Sequence, residues 1–223
     1  MGEFVTITAG DDSGTFGSYV ARPASGSGPG IVVIQEIFGV NSHIKSVADG
    51  YAADGYLAIA PAMYDRLQRN YETGYSPEEI QAGLAIMQKL DWKNTMTDVD
   101  AAVKEAGGGG KVGIVGYCWG GTVAWVAAAR TKGLACSVPY YGGGIPNFAE
   151  EGPKVPMMCN FGEQDQSPTP EQAKAAVAKH PAIVAHFYAA GHGFNCDQRG
   201  SYNAEASKLA RTRTLEFFRK HIG

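Results

Sequence analysis

Lys111-Val112-Gly113-Ile114-Val115-Gly116-Tyr117-Cys118-Trp119-Gly120-Gly121-Thr122 is the stretch on which the reading of this chain turns. Val112 to Val115 has the apolar, β-branched character of a strand buried on both faces. Thr122 to Arg130 reads as a helix. The chain must turn from one to the other in a few residues, with Cys118 at the centre. A side chain there sits on a strained strand-to-helix turn, the context of a nucleophile elbow. Its neighbours must be small because the turn brings backbones together, hence Gly116 and Gly120. The positive end of the helix dipole favours a negative sulfur at that point. The competing reading is a buried cysteine beside a glycine-rich turn with a phosphate-binding role. Against it, Gly113-x-x-Gly116 is too short for a dinucleotide fingerprint, and no P-loop lysine follows.

Outward from this stretch, strand and helix signals alternate. Phe4 to Thr8 and Gly17 to Arg22 form an opening hairpin around Gly10-Asp11-Asp12-Ser13-Gly14, and the strand pattern begins at Met1. Ile31 to Ile34 is a buried central strand, Ser42 to Asp54 a helix, and Tyr56 to Ala60 a strand ended by Pro61. Ser76-Pro77-Glu78-Glu79 is a helix start, with Ser76 as cap, Pro77 in the first turn and Glu79 reaching back. Ile80, Leu84, Met87 and Leu90 follow at helical spacing. Met96 to Ala106 is a further helix, stopped by Gly107 to Gly110. Beyond the elbow come strands at Leu134 to Pro139, Val155 to Phe161 and Ile183 to Tyr188. Thr169 caps a helix ending near Lys179. The last helix, Asn203 to His221, carries Leu209, Leu215, Phe218 and Ile222. Strands alternating with helices predict right-handed crossovers and a mostly parallel central sheet with helices on both faces. With no repeat or linker, residues 1–223 are expected to be one α/β domain, its site at the carboxyl ends of the strands.

Composition removes several function classes. The chain has 223 residues, 44% hydrophobic and 18% charged, as in a folded enzyme rather than a disordered chain. Nineteen Lys+Arg against 22 Asp+Glu leave a formal charge of -3, no electrostatic footprint for nucleic acid. The longest apolar runs are far short of the roughly 20 residues needed to cross a bilayer. No basic stretch leads into a long apolar run at the start, so no secretory signal is read there. Cys118, Cys136, Cys159 and Cys196 show neither paired nor zinc-ligand spacing and read as free thiols in a reducing cytoplasm.

An elbow nucleophile needs an acid and then a histidine, in that order along the chain. His43 precedes the elbow, His180 and His221 fall near helix ends, and His186 lies inside a strand. His192, in Gly191-His192-Gly193-Phe194, follows the last strand and stands where the base belongs. Phe161-Gly162-Glu163-Gln164-Asp165 follows the preceding strand. Both acids qualify, and Asp165, further round the turn and with the shorter reach, is preferred. Glu36 ends the strand Ile31 to Gln35 beside apolar Ile37 and Phe38. A carboxylate there is either bonded to loop amides or poised at the edge of a site.

Gln35-Glu36-Ile37-Phe38-Gly39, Gly116-Tyr117-Cys118-Trp119-Gly120-Gly121, Gly162-Glu163-Gln164-Asp165 and Gly191-His192-Gly193-Phe194 together resemble the dienelactone hydrolase family, as do Tyr140-Tyr141-Gly142 and Arg213 to Phe218. The resemblance implies an α/β-hydrolase fold and a triad of Cys118, His192 and Asp165. It implies an oxyanion hole from the backbone N–H groups of Ile37 and Trp119. It gives Glu36 the role of bonding the resting thiol and helping to generate the thiolate. The implied chemistry is hydrolysis of a small lactone or activated enol ester through a thioester, with no metal or organic cofactor. The expected partner is that small molecule alone, bound by a monomer or a weak oligomer, with no nucleic acid or membrane.

The departures concern the substrate. Family members acting on dienelactone hold its carboxylate with arginines, one before the elbow strand and one shortly after the catalytic histidine. Tyr71 to Gly110 contains no arginine, and the first cation after His192 is Arg199. Arg199 therefore either holds an anionic substrate, with Arg66 or Arg69 as helpers, or pairs with Asp197 or Glu205 on the surface. Tyr64, Tyr141 and Trp119 are candidate pocket walls or simple packing. The alternative functions are a broad-specificity carboxylesterase and a non-catalytic binding or redox-sensing relative using Cys118. Glu36 argues against the first and the complete triad against the second.

Overall fold

A computed structural model describes residues 2–223; Met1, where the expected first strand begins, lies outside the described residues. The strands are β1 (Glu3–Thr8), β2 (Thr15–Ala21), β3 (Gly30–Ile34), β4 (Leu57–Pro61), β5 (Val112–Tyr117), β6 (Leu134–Tyr140), β7 (Met158–Gly162) and β8 (Val184–Tyr188). The α-helices are α1 (Ser42–Ala53), α2 (Pro77–Met87), α3 (Trp92–Ala106), α4 (Trp119–Arg130), α5 (Pro170–Ala178) and α6 (Ala204–His221). The strands are mostly parallel, and the class is α/β, as the alternating pattern requires. Every residue of β3, β4, β5 and β7 is buried, so these strands are covered on both faces.

The chain divides into two compact units. One runs to Val112 and takes in Thr131–Gly133; the other holds Gly113–Arg130 and Leu134–Gly223. In the first, the strand order is β1-β2-β4-β3. The expected hairpin pairs Glu3 with Val20 and Thr8 with Thr15. β2 runs antiparallel to β4, and β3 parallel to it. Helices α1 and α3 pack on these strands. In the second, the order is β5-β6-β7-β8, with β7 parallel to both β6 and β8. Helix α4 packs on β6, and α6 on β6 and β7.

Local chemistry explains the boundaries. Ser76 and Glu79 form the expected reciprocal cap of α2, with Pro77 in its first turn; Thr169 and Gln172 do the same for α5. Helix α2 stops at Met87, so Leu90 falls beyond it. Helix α3 starts at Trp92 rather than Met96 because Asp91 accepts from the Asn94 N–H. The face of α6 also differs from the reading of its large side chains. Ala206, Ala210, Thr214 and Phe218 are buried at i, i+4 spacing, while Leu209 is 46% exposed. Small residues face inward because the helix lies close to the strands: a Cβ on Gly113 of β5 would meet the Phe218 ring at 2.7 Å.

Arg66 ties the hairpin turn to α3. Its Nε and Nη2 donate to the two oxygens of Asp98, each at 2.8 Å, and Nη1 donates to Ser13 Oγ at 2.6 Å. Burial pushes the Asp98 carboxyl up, with Arg66 opposing it. This guanidinium is committed to its pair, which removes Arg66 as a helper for an anionic substrate. Arg69 donates to the Thr15 carbonyl at 2.8 Å.

Candidate active site

Strand β5 delivers the chain to Cys118, and α4 begins at the next residue. Cys118 has φ 56°, in the left-handed region. For a residue other than glycine this stores strain of order 1–3 kcal/mol, which persists only where the surroundings dictate it. They do. The Cys118 N–H donates to the Tyr140 carbonyl of β6 at 3.1 Å, and its carbonyl accepts from Gly121 N–H at 2.9 Å. A Cβ on Gly116 would lie 1.9 Å from the Gly120 carbonyl oxygen. A Cβ on Gly121 would lie 2.2 Å from the Tyr140 carbonyl oxygen. Gly116 is thus required as expected. The atom that a Cβ on Gly116 would strike belongs to Gly120, so the two backbones do meet at the turn, and Gly121 must lack a side chain as well, because α4 starts three residues before Thr122 and its first turn lies on the end of β6. Cys118 is half-buried, while the other three cysteines are buried free thiols. Burial pushes Cys136 up to about 12 and raises Cys159 as well, so both are protonated at neutral pH.

The acid and base loops leave β7 and β8, which are hydrogen-bonded neighbours, and the pairing continues past the strand ends. Glu163 N–H donates to the Tyr188 carbonyl at 2.7 Å and Gln164 N–H to that of Ala190 at 3.0 Å. Asp165 is 1% exposed, and its carboxylate meets His192 Nδ1 at 2.9 Å through one oxygen and 3.2 Å through the other. It also accepts from Ser167 N–H at 2.8 Å. Glu163, the other candidate acid, is exposed. His192 hydrogen-bonds Cys118 as well, so the three side chains form a connected line. Burial by itself would lower the His192 pKa. The charge of Cys118, the hydrogen bond to Asp165, the hydrogen bond to Cys118 and the charge of Asp165 outweigh it, and His192 is raised to about 10. The other histidines stand in different settings. His43 is buried in α1, His180 is hydrogen-bonded with the Ala149 carbonyl, and His221 lies against Phe217. His186, inside β8, has its pKa lowered by burial and by Arg213.

Two residues gather around His192. Tyr141 follows β6, is fully buried, and has φ 34°. Its ring meets the imidazole edge-to-face, with centroids 5.1 Å apart. The left-handed backbone at a bulky residue carried no sequence signal beyond the glycine that follows it. Arg199 lies against the base loop: a Cβ on Gly193 would be 2.5 Å from its Nη1. Gly193 itself has φ 74°, which glycine adopts freely.

In the first unit, β3 ends at Ile34 and the chain stays buried. Gln35 and Glu36 are each 1% exposed, and Gln35 Oε1 accepts from Met63 N–H at 3.1 Å. Ile37 is buried too. Its carbonyl oxygen lies 2.5 Å from where a Cβ on Gly83 of α2 would sit, so α2 rests directly on this loop. Tyr64 is 1% exposed, with its ring 5.6 Å from that of Tyr71. Tyr64 and Tyr141 are therefore packed side chains rather than walls open to solvent. Among the described residues, neither unit taken alone gathers three metal-ligating side chains.

No helix is long and apolar enough to cross a membrane among the described residues. Residues 16–222 match the dienelactone hydrolase family. A carboxymethylenebutenolidase of Pseudomonas sp. (strain P51) is 34% identical over 220 residues, covering 93% of this chain and 91% of its own. Carboxymethylenebutenolidase 1 of Cupriavidus pinatubonensis is 31% identical over 227 residues, covering 97% of this chain and 96% of its own. Among solved structures, a Klebsiella pneumoniae protein assigned as a dienelactone hydrolase superposes with TM-score 0.84 at 27% identity, covering 99% of this chain and 100% of that one. Likeness of sequence and of fold over nearly the whole length makes this chain a carboxylic ester hydrolase of the α/β-hydrolase fold, and it belongs to the dienelactone hydrolase family.

Proposed function

We propose that the chain is a single hydrolase domain that opens a small lactone or activated ester through a thioester on Cys118. The observation that carries this reading is the hydrogen-bonded line from Cys118 through His192 to Asp165, with the nucleophile held at a left-handed φ. In the cycle, the Cys118 thiolate attacks the carbonyl carbon and the carbonyl π pair moves to oxygen. The oxyanion is assigned to the N–H groups of Ile37 and Trp119. Trp119 is the first residue of α4, where backbone N–H groups have no intrahelical acceptor. Such a donor contributes roughly 3–4 kcal/mol in related sites. When the C–O bond breaks, the leaving oxygen takes a proton from the His192 imidazolium and the thioester remains. Neutral His192 then takes a proton from water, hydroxide adds to the thioester, and the C–S bond breaks to return thiolate, imidazolium and the acid product.

Glu36 is assigned to tuning the charge on Cys118, on the strength of the family pattern and its burial at the end of β3. Arg199, beside the His192 loop, is assigned to an anionic group on the substrate. The four free thiols support a reducing compartment, the cytoplasm. The test is Cys118→Ala assayed against lactones, enol esters and p-nitrophenyl esters. Hydrolysis should fall more than about a hundredfold, since losing such a nucleophile usually removes several orders of magnitude, with the melting temperature nearly unchanged. A variant that keeps more than about a hundredth of the activity overturns the triad.

A further inference from the structure

We propose that Tyr141 is the positioning residue for His192, its ring serving as the fixed wall that keeps the imidazole aligned between Asp165 and Cys118. This rests on the triad reading above and adds a fourth member to it.

An imidazole held through Nδ1 alone can swing about that hydrogen bond, and its other nitrogen then travels furthest. A second rigid contact on the ring removes that freedom. Tyr141 provides one, with centroids 5.1 Å apart and planes at 62°. Tyr141 is itself closely packed. Its ring packs edge-on against Phe194 at 5.2 Å and Tyr140 at 6.0 Å, and its N–H donates to the Asn160 carbonyl at 2.8 Å.

The backbone supplies the independent observation. Side chains alternate along a strand, and a left-handed residue at its end breaks that alternation. At φ 34°, Tyr141 departs from the direction that continuing β6 would give it. Gly142, the next residue, is closely packed as well: a Cβ there would lie 2.7 Å from both Thr122 N and Ile145 Cδ1. A bulky side chain kept in a disfavoured conformation, fully buried and against the base, is the pattern expected where geometry serves function. The charged groups facing His192 within the second unit are Cys118 and Asp165, with Arg199 on the backbone of its own loop.

The experiment compares Tyr141→Leu and Tyr141→Phe with wild type, reading kcat and KM for a p-nitrophenyl ester and the pH midpoint of Cys118 alkylation by iodoacetamide, with the labelled residue mapped by mass spectrometry. Phe218→Leu, which empties core volume under α6, controls for lost packing. Tyr141→Leu should lower kcat by about ten- to a hundredfold, the scale of a displaced catalytic group, with KM within about threefold. Its alkylation midpoint should shift, Tyr141→Phe should restore both readouts, and Phe218→Leu should move neither. If Cys118 is labelled in Tyr141→Leu with the wild-type midpoint and kcat, Tyr141 is packing only and the triad stands. If labelling falls on another residue in wild type, the triad fails and this inference with it.

Discussion

Replacing Asp165 by Asn tests the line of side chains at its most constrained point. The carboxylate faces two donors: Ser167 N–H at 2.8 Å, and His192 Nδ1 at 2.9 Å. Asn offers one acceptor and one donor where Asp offers two acceptors. If the amide oxygen stays on Ser167, the amide N–H faces Nδ1. That nitrogen must then accept, the proton moves to Nε2, and the nitrogen left for Cys118 can no longer take a proton. If the amide flips, Ser167 N–H is left facing a donor at a buried site, a penalty of about 1–3 kcal/mol in stability. A hydrogen bond to a charged group is worth about 1.5–3 kcal/mol, or roughly 10- to 150-fold at 1.4 kcal/mol per decade. A wrong tautomer extends the loss toward about 10⁴ in triads of this kind. Hydrolysis of a p-nitrophenyl ester by Asp165→Asn should therefore show kcat/KM lowered by about 10² to 10⁴. Cys118 alkylation should change its pH dependence, since one cause of the raised His192 pKa is gone. A loss below about tenfold would refute the reasoning and reduce Asp165 to a loop-capping residue.

Arg66→Ala should cost more stability than Asp98→Ala, because it strands a carboxylate that is 2% exposed, whereas Asp98→Ala leaves Arg66 with Asp11 and solvent. Breaking such a pair is worth about 3 kcal/mol, a melting temperature lowered by roughly 6–12 °C by calorimetry, and the reverse order would show that Asp98 is stable unpaired. Arg199→Ala should weaken kcat/KM for a carboxylated lactone by roughly 10- to 150-fold, the scale of a charge-assisted hydrogen bond, and spare its methyl ester; equal effects on both would remove Arg199 from the site. His192 has its folded pKa raised from an ordinary 6.5 to about 10, so its contribution to stability is fully present below pH 6.5 and is lost as pH rises through about 10. Melting curves of wild type and His192→Gln should converge across that window, and a constant difference would argue against the raised value.

The parts of the site that sequence made legible are those with local signatures in chain order. A buried strand, a glycine-flanked cysteine and a helix follow one another without a gap, so the elbow was readable. Asp165 and His192 each stand in a glycine loop directly after a strand, and adjacent parallel strands bring such loops together. What escaped depends on contacts between distant residues. Arg66 and Asp98 lie 32 positions apart, and nothing near either one announces a bidentate pair. The need for glycine at Gly121 comes from the Tyr140 carbonyl of β6, which no residue beside Gly121 announces. Leu209 has the size and apolarity of a core residue, yet burial along α6 does not follow size. In α6 the short distance to the strands selects alanine and threonine instead.

The electrostatics of His192 bind these pieces into one sequence of events in the proposed cycle. Burial is the largest single influence on it and opposes the charged form, and the charge of Cys118 is the largest of those favouring it. While Cys118 is a thiolate, the imidazole holds its proton and has it ready for the leaving oxygen. Once Cys118 has become a thioester its charge is gone, and burial is opposed mainly by Asp165. The imidazole has then lost the largest of the influences that favoured its proton, which suits its turn as a base for water. Release of the thiolate restores the charge and with it the protonated state. Asp165 acts at both stages without changing its own role, holding Nδ1 so that the other nitrogen is always the one that exchanges the proton. A half-buried Cys118 serves this alternation better than an exposed one, because water around it would screen the charge on which the switch depends.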